Sequence, residues 1–230
     1  MRLCYTYWVN DIQNISCGFG MPQLFFEAAN KSIIAAKSQF KDICIYTNSF
    51  GADVLKNNVT ASELCDIIEI DYSKYDFDCR YWNFPKLITY SMQEKPFIHI
   101  DFDVFLQSGF AKQLNKDSDI FTELIRDYDY VKNFDKFNGI KPDKLICSGL
   151  LGANNIEAFK ENFEVALIEC KPTKKKIVFE DLFGIEEYSF TQKVEQKKMK
   201  VQELDKTTFL HFQGKNKNLR YGKLIKDFKI

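Results

Sequence analysis

Over residues 1–106 the chain alternates short β-rich apolar runs with stretches of helical composition, and few architectures accept that order. RLCYTYW (2–8) reads as a strand, GFGMPQ as a loop, and QLFFEAANKSIIAAKSQ (23–39) clusters its apolar positions on one side of a helix. DICIYTN (42–48) is β-rich again, GADVLKNN supplies a helical turn, and CDIIEIDY (65–72) is a third apolar run. A helix through WNFPKLITYSMQEK (82–95) leads to PFIHIDFDVFL (96–106), a fourth strand. Strands alternating with helices build βαβ units, so the fold class is α/β with a mostly parallel central sheet flanked by helices. In such sheets ligands gather beyond the carboxyl ends of the strands.

The second half is less regular. KLICSGLLGANN (144–155) predicts a strand running into a turn, IEAFKENFEVALIEC (156–170) an amphipathic helix, KPTKKK a solvated break, and EEYSFTQKVEQKKMK (186–200) a further helix. No linker or repeat divides the 230 residues, which predicts a single domain over 1–230. Lys+Arg and Asp+Glu balance at 32 each, which argues against a general electrostatic grip on nucleic acid or an anionic membrane. The seven cysteines are scattered without a CxxC, no secretory leader opens the sequence, and no apolar run approaches the ~20 residues a membrane span needs. These features predict free thiols in a cytoplasmic protein without stable membrane insertion.

The fourth strand carries Asp101 and Asp103, and burying carboxylates without partners costs several kcal/mol, of order 3–5. The D-x-D pattern also occurs at Asp76/Asp78, Asp117/Asp119 and Asp127/Asp129, where polar surroundings predict solvated loops. Only the pair at 101 and 103 follows a strand, FIHI, and precedes VFL. Alternation along a strand would put both side chains on one face, able to converge on a hard divalent cation such as Mg²⁺ or Mn²⁺; an exposed or paired strand end is the plainer alternative. Far downstream, HFQGKNK (211–217) reads H-x-x-G-x-x-K. His211 suits a third ligand and would tilt preference towards Mn²⁺, Gly214 permits a close backbone approach, and Lys217 could reach a phosphate. His99, inside the strand, is expected in the core.

IHIDFDVFL together with HFQGKNK resembles the nucleotide-sugar glycosyltransferases of the GT-A fold, particularly the glycogenin-like group that includes bacterial lipopolysaccharide glucosyl- and galactosyltransferases. The resemblance implies a Rossmann-like GT-A domain whose residues 1–106 bind the nucleotide sugar and whose residues 107–230 supply the acceptor half and a metal-binding tail. It implies Asp101 on metal and on donor ribose or sugar, Asp103 and His211 as direct metal ligands, and Lys217 and Gly214 beside the diphosphate. Lys86 stands where the family often has a basic residue facing the donor, although a solvated helix lysine fits equally. ICSGLLG falls where relatives line the sugar pocket, with Cys147 in place of the usual Asn and Ser148 and Gly149 as remaining candidates. Glu186 and Glu187 fall where an acidic residue orients acceptor or donor sugar; an acidic first turn is also what a helix dipole favours. Thr6 and Asn48, near the ends of strands one and two, are candidates for the nucleotide base, whereas Tyr7 fits core packing. The implied reaction moves a hexose from a nucleoside-diphosphate sugar to a glycan, lipid-linked or protein acceptor with retention, using Mn²⁺ or Mg²⁺. A glycolipid acceptor would be met transiently at a membrane.

Two other readings fit some of the same residues. A haloacid-dehalogenase-type phosphatase would use Asp101 as nucleophile, with Ser148, Lys174 to Lys176, Glu180 and Asp181 in support. Such enzymes usually open with their D-x-D, whereas α/β pattern precedes it here, and they give H-x-x-G-x-x-K no role. A non-catalytic binding protein on a GT-A-like fold is the third reading.

Overall fold

Pro22 pre-sets the first turn of helix α1 (Pro22–Lys37), and Phe25, Ala28, Ala29, Ile33 and Ala36 recur at helical spacing to give it one buried face. That face belongs to a sheet of β1 (Arg2–Tyr7), β2 (Ile43–Thr47) and β3 (Asp66–Glu69), with helix α2 (Ser49–Asn58) between the last two. The strands are parallel and in register from Leu3↔Ile43 to Tyr7↔Thr47 and from Cys44↔Asp66 to Thr47↔Glu69. Every residue of β2 is buried, as a central parallel strand requires. The computed structural model describes residues 1–10, 15–125, 144–178, 181–182 and 184–212.

Helix α3 (Phe84–Ser91) leads to β4 (Phe97–Ile100), which is wholly buried. The expected single strand over 96–106 does not form. Asp101, Phe102 and Asp103 make a turn closed by the Val104 N–H donating to the Asp101 carbonyl at 3.0 Å, and β5 (Val104–Leu106) leaves the main sheet. It pairs antiparallel with β9 (Phe209–His211) in a separate two-stranded sheet. The alternation argument for the aspartates therefore fails in detail: they share a turn, in which Asp101 is half-buried and Asp103 is buried.

After the short helix α4 (Phe110–Gln113) come β6 (Ile120–Ile125), β7 (Leu145–Ala153), α5 (Glu157–Glu169), α6 (Ser189–Gln196) and β8 (Val201–Glu203). Strand β6 runs antiparallel to β7 and parallel to β8. The main sheet has seven strands in the order β3-β2-β1-β4-β7-β6-β8 among the described residues. Sequence patterning located β7 and α5 closely and missed β6 and β8. Two of the acidic pairs expected in solvated loops are clamps instead. The Asp119 carboxylate accepts the Lys200 N–H at 2.8 Å where β8 joins β6, and Asp78 holds Arg80.

The chain divides into two compact units, neither of them contiguous in sequence. The first comprises Met1–Asp71, Ile100–Leu114 and the segment beginning at Asp205. Its aromatic core is Tyr5, Tyr7, Phe25 and Phe102, with Phe102 stacked on Tyr5 at 4.6 Å and edge-on to Phe25 at 5.4 Å. The second comprises Tyr72–His99 and Asn115–Leu204, with Tyr90, Phe97, Phe159 and Phe190 at its centre. His99 is fully buried edge-on to Tyr90, as expected of a core histidine.

Gly152 on β7 has a steric reason. A Cβ there would lie 2.6 Å from the Phe97 carbonyl oxygen and 2.9 Å from the Ile98 Cα. Backbone atoms cannot rotate aside, so Gly152→Ala is expected to cost about 1–3 kcal/mol, read as a lower urea midpoint at unchanged m-value.

Candidate functional site

In the first unit two of the three sequence-predicted metal ligands, Asp103 and His211, come together through the small sheet. Val104 lies opposite His211 in the β5–β9 register, and the Phe212 N–H extends the ladder by donating to the Asp103 carbonyl at 3.1 Å. This pairing sets His211 Nε2 3.8 Å from Asp103 Oδ1, with both side chains buried. Asp101 is half-buried at the start of the turn. Phe102, between the two aspartates, is locked into the aromatic core, and Ser32 Oγ, which is in contact with the Tyr5 hydroxyl, donates to the Val104 carbonyl at 2.6 Å. The turn is thus fixed from below by an aromatic anchor and from the side by a hydrogen bond out of α1.

This donor set fits a divalent cation. Ligands at about 2.1 Å from one ion stand roughly 3–4 Å from each other, the separation found between the Asp103 carboxylate and the His211 imidazole. Carboxylate plus imidazole suits Mn²⁺ better than Mg²⁺. Gly214 and Lys217 lie outside the described residues, as do Asp127 and Asp129.

Thr6 is half-buried on β1, opposite Tyr46. Asn48 caps α2: its Oδ1 accepts the Gly51 N–H at 3.2 Å, and its Nδ2 donates to the Val9 carbonyl at 2.7 Å.

In the second unit the remaining candidates form two buried pairs around a π-helix, Gly184–Tyr188. The wide turn precedes α6 where an ordinary α-helix was expected, and both Glu186 and Glu187 point inward, at 2% and 3% exposure. Consecutive residues of an α-helix are turned about 100° apart, so an inserted π-turn is a means of burying both. Glu186 Oε1 lies 3.3 Å from Lys86 Nζ, and its Oε2 accepts from Asn83 Nδ2 at 3.2 Å. Lys86 is therefore no solvated helix lysine. Glu187 Oε1 accepts both the Ser148 N–H and its hydroxyl at 3.2 Å, while the Tyr90 hydroxyl donates to the Ser148 carbonyl. Gly149 is buried beside Ser148 on β7.

Sequence reasoning missed Asn83. Preceding a helix that carries Pro85 in its first turn, it reads as a cap, yet its side chain makes no capping bond and serves Glu186 and the Leu182 carbonyl instead. Of the phosphatase constellation, Asp181 accepts the Val178 N–H in its own turn, Ser148 is held by Glu187, and Glu180 lies outside the described residues. Burial pushes the Cys44 thiol up to about 11 and those of Cys65 and Cys170 up to about 12, which makes them poor nucleophiles at neutral pH.

Solved structures share this fold across the whole chain at low identity. The galactosyltransferase LgtC, in complex with donor and acceptor sugar analogues, is 11% identical with a TM-score of 0.53, covering 100% of this chain and 97% of its own. The inositol-1-phosphate CTP transferase of T. maritima is 10% identical with a TM-score of 0.54, covering 98% and 96%. A putative glucose-1-phosphate thymidylyltransferase of Bacillus anthracis is 11% identical with a TM-score of 0.52, covering 100% and 97%. The expected GT-A-type α/β fold is therefore present. No curated protein matches the sequence. A family model does match, over residues 1–229, and the chain belongs to that family, DUF6734, a family of unknown function.

Proposed function

We propose that this chain is a divalent-metal-dependent glycosyltransferase that moves a hexose from a nucleoside-diphosphate sugar to a glycan, lipid-linked or protein acceptor, with retention. The observation that carries the reading is the approach of His211 to Asp103 across the β5–β9 pairing, directly after a sheet strand of a GT-A-type fold. The likeness to LgtC, which binds donor and acceptor sugar analogues, supports it at the level of fold.

Asp103 and His211 hold the cation, Mn²⁺ in preference to Mg²⁺, and Asp101 reaches it or the donor ribose or sugar. When bound, the cation neutralises charge on the departing nucleoside diphosphate. Lys217 and Gly214 of the H-x-x-G-x-x-K segment sit at the diphosphate, and Thr6 and Asn48 at the base. Ser148 and Gly149 line the sugar pocket, held by Glu187; Lys86 and Glu186 orient a sugar. A lipid-linked acceptor is met transiently at a membrane; among the described residues no helix is long and apolar enough to cross one.

The test is hydrolysis of a nucleotide-sugar panel with Mn²⁺ or EDTA by wild type and Asp103→Asn. Two assays run in parallel: a generic phosphatase substrate, and condensation of nucleoside triphosphates with sugar phosphates. The expected result is Mn²⁺-dependent release of nucleoside diphosphate from one donor, lowered 10²–10³-fold in the variant, the usual cost of losing a group that stabilises developing charge. Phosphatase turnover requiring Asp101, or pyrophosphate release, with every nucleotide sugar intact would replace the reading. Silence in all three assays would leave a binding protein on a transferase fold.

A further inference from the structure

Trp82 is 49% exposed although Tyr81 and Asn83 on either side of it are buried. Its backbone is not loose. The Asp78 N–H donates to the Cys170 carbonyl at 2.8 Å, and the Tyr81 and Phe84 N–H groups close successive turns onto Asp78 and Tyr81. Phe84 is fully buried below it. A rigid turn thus holds an indole at the surface while its neighbours anchor the segment.

The same turn is tied twice to the segment that follows α5. Arg80, gripped by both oxygens of Asp78, donates to the carbonyls of Thr173 and Lys175. Asn83 donates to the carbonyl of Leu182 at 2.6 Å. Trp82 lies between these two ties in sequence, and the exposed run Lys174–Lys176 is fastened to the same turn. The Arg80 guanidinium holds the Asp78 carboxyl well below the usual carboxylate range, so this fastening persists into acid. Arg80 and Asp78 cancel in charge, and residues 171–182 carry Lys171 and Lys174–Lys176 against Glu180 and Asp181, which leaves the segment net positive in a chain whose total is neutral.

A pre-ordered indole face stacks on the C–H face of a sugar ring at little entropic cost, and cations beside it select an acidic substituent. We propose that Trp82 and the Lys174–Lys176 run form a binding surface for an anionic saccharide, one bearing carboxylate or phosphate groups. As an acceptor subsite it rests on the sugar-transfer reading; as a saccharide surface it stands without it. A single platform on a neutral chain favours this occupant over a nucleic-acid strand, which calls for a series of stacking aromatics along a positive groove.

The experiment is calorimetric titration of the full chain in EDTA, without donor, using tetragalacturonate, mannose 6-phosphate, maltotetraose and oligo(U). With neither metal nor donor present, its failure is separate from failure of the transferase reading. Binding of at least one acidic sugar is expected, ten-fold or more tighter than maltotetraose and weakened ten-fold or more by Trp82→Ala. The Lys174→Gln/Lys175→Gln/Lys176→Gln variant should lose the same preference and flatten the salt dependence. The carboxylate and phosphate probes separate the two sources of charge. The chain has two tryptophans, so ligand-dependent fluorescence should vanish in Trp82→Phe and survive in Trp8→Phe. No binding of either acidic sugar, binding indifferent to Trp82, or tighter binding of oligo(U) would overturn the proposal.

Discussion

Phe102→Ala is expected to cost about 3–5 kcal/mol of stability, the usual result of emptying a buried phenylalanine site. The ring is 5% exposed and packs against the rings of Tyr5, Tyr7 and Phe25, so the cavity cannot close by a single rotamer change. Urea denaturation of the full chain should show the loss, and Phe102→Leu should recover most of it. The functional consequence should exceed the thermodynamic one. Phe102 is the only residue between Asp101 and Asp103, and its anchoring fixes where both carboxylates point. Displacing a reacting group by about 1 Å can cost 10²-fold in rate. Turnover per folded molecule should therefore fall by that order under conditions where circular dichroism still reports native structure. Equal activity per folded molecule would mean that the β5–β9 pairing alone positions the turn.

Lys86→Met is expected to be comparably severe, at about 3–5 kcal/mol, because it removes the cation from a carboxylate that is 1% exposed. Asn83 still donates to Glu186 in the variant, but a neutral amide does not replace an ammonium at 3.3 Å. The double variant Lys86→Met/Glu186→Gln should regain part of the loss, since two neutral side chains no longer carry an uncompensated charge into the interior. A change below ~1 kcal/mol for Lys86→Met would show that the pair is effectively solvated. The measurement also bears on role. A pair kept solely for stability would let the double variant match wild type in both stability and turnover, whereas a sugar-orienting pair would leave turnover depressed after stability is regained.

The first hundred residues were legible because their elements are set by local pattern. Pro22 and the Phe25/Ala28/Ala29/Ile33/Ala36 stripe announce α1, and ICIYT has no use except as a buried strand. The metal candidates were legible through their resemblance to a family motif, whereas their geometry was not. Nothing local in VFL or FLH says that these triplets will pair, since each is three residues long and they meet across a long separation in sequence. The bend at Asp101 was hidden for the same reason: an apolar run with two acids in it looks continuous until the partner of its second half is known. Likewise the double burial of Glu186 and Glu187 depends on a π-turn whose acids are met by Asn83 and Ser148 from other elements, so the local sequence showed only an acidic first turn such as a helix dipole favours.

The β5–β9 pairing has a consequence for biosynthesis. Asp103 is translated roughly a hundred residues before His211, which at ribosomal rates is about 5–20 s. During that interval the strands β1 to β4 can assemble, but the carboxylate turn has no histidine strand to meet. On the proposed metal-binding reading, cation capture at this place waits until the segment from Asp205 has emerged and folded back on residues made much earlier. On the metal-dependent reading proposed above, a chain cut short before His211 would keep the fold of its early strands and lack the second ligand.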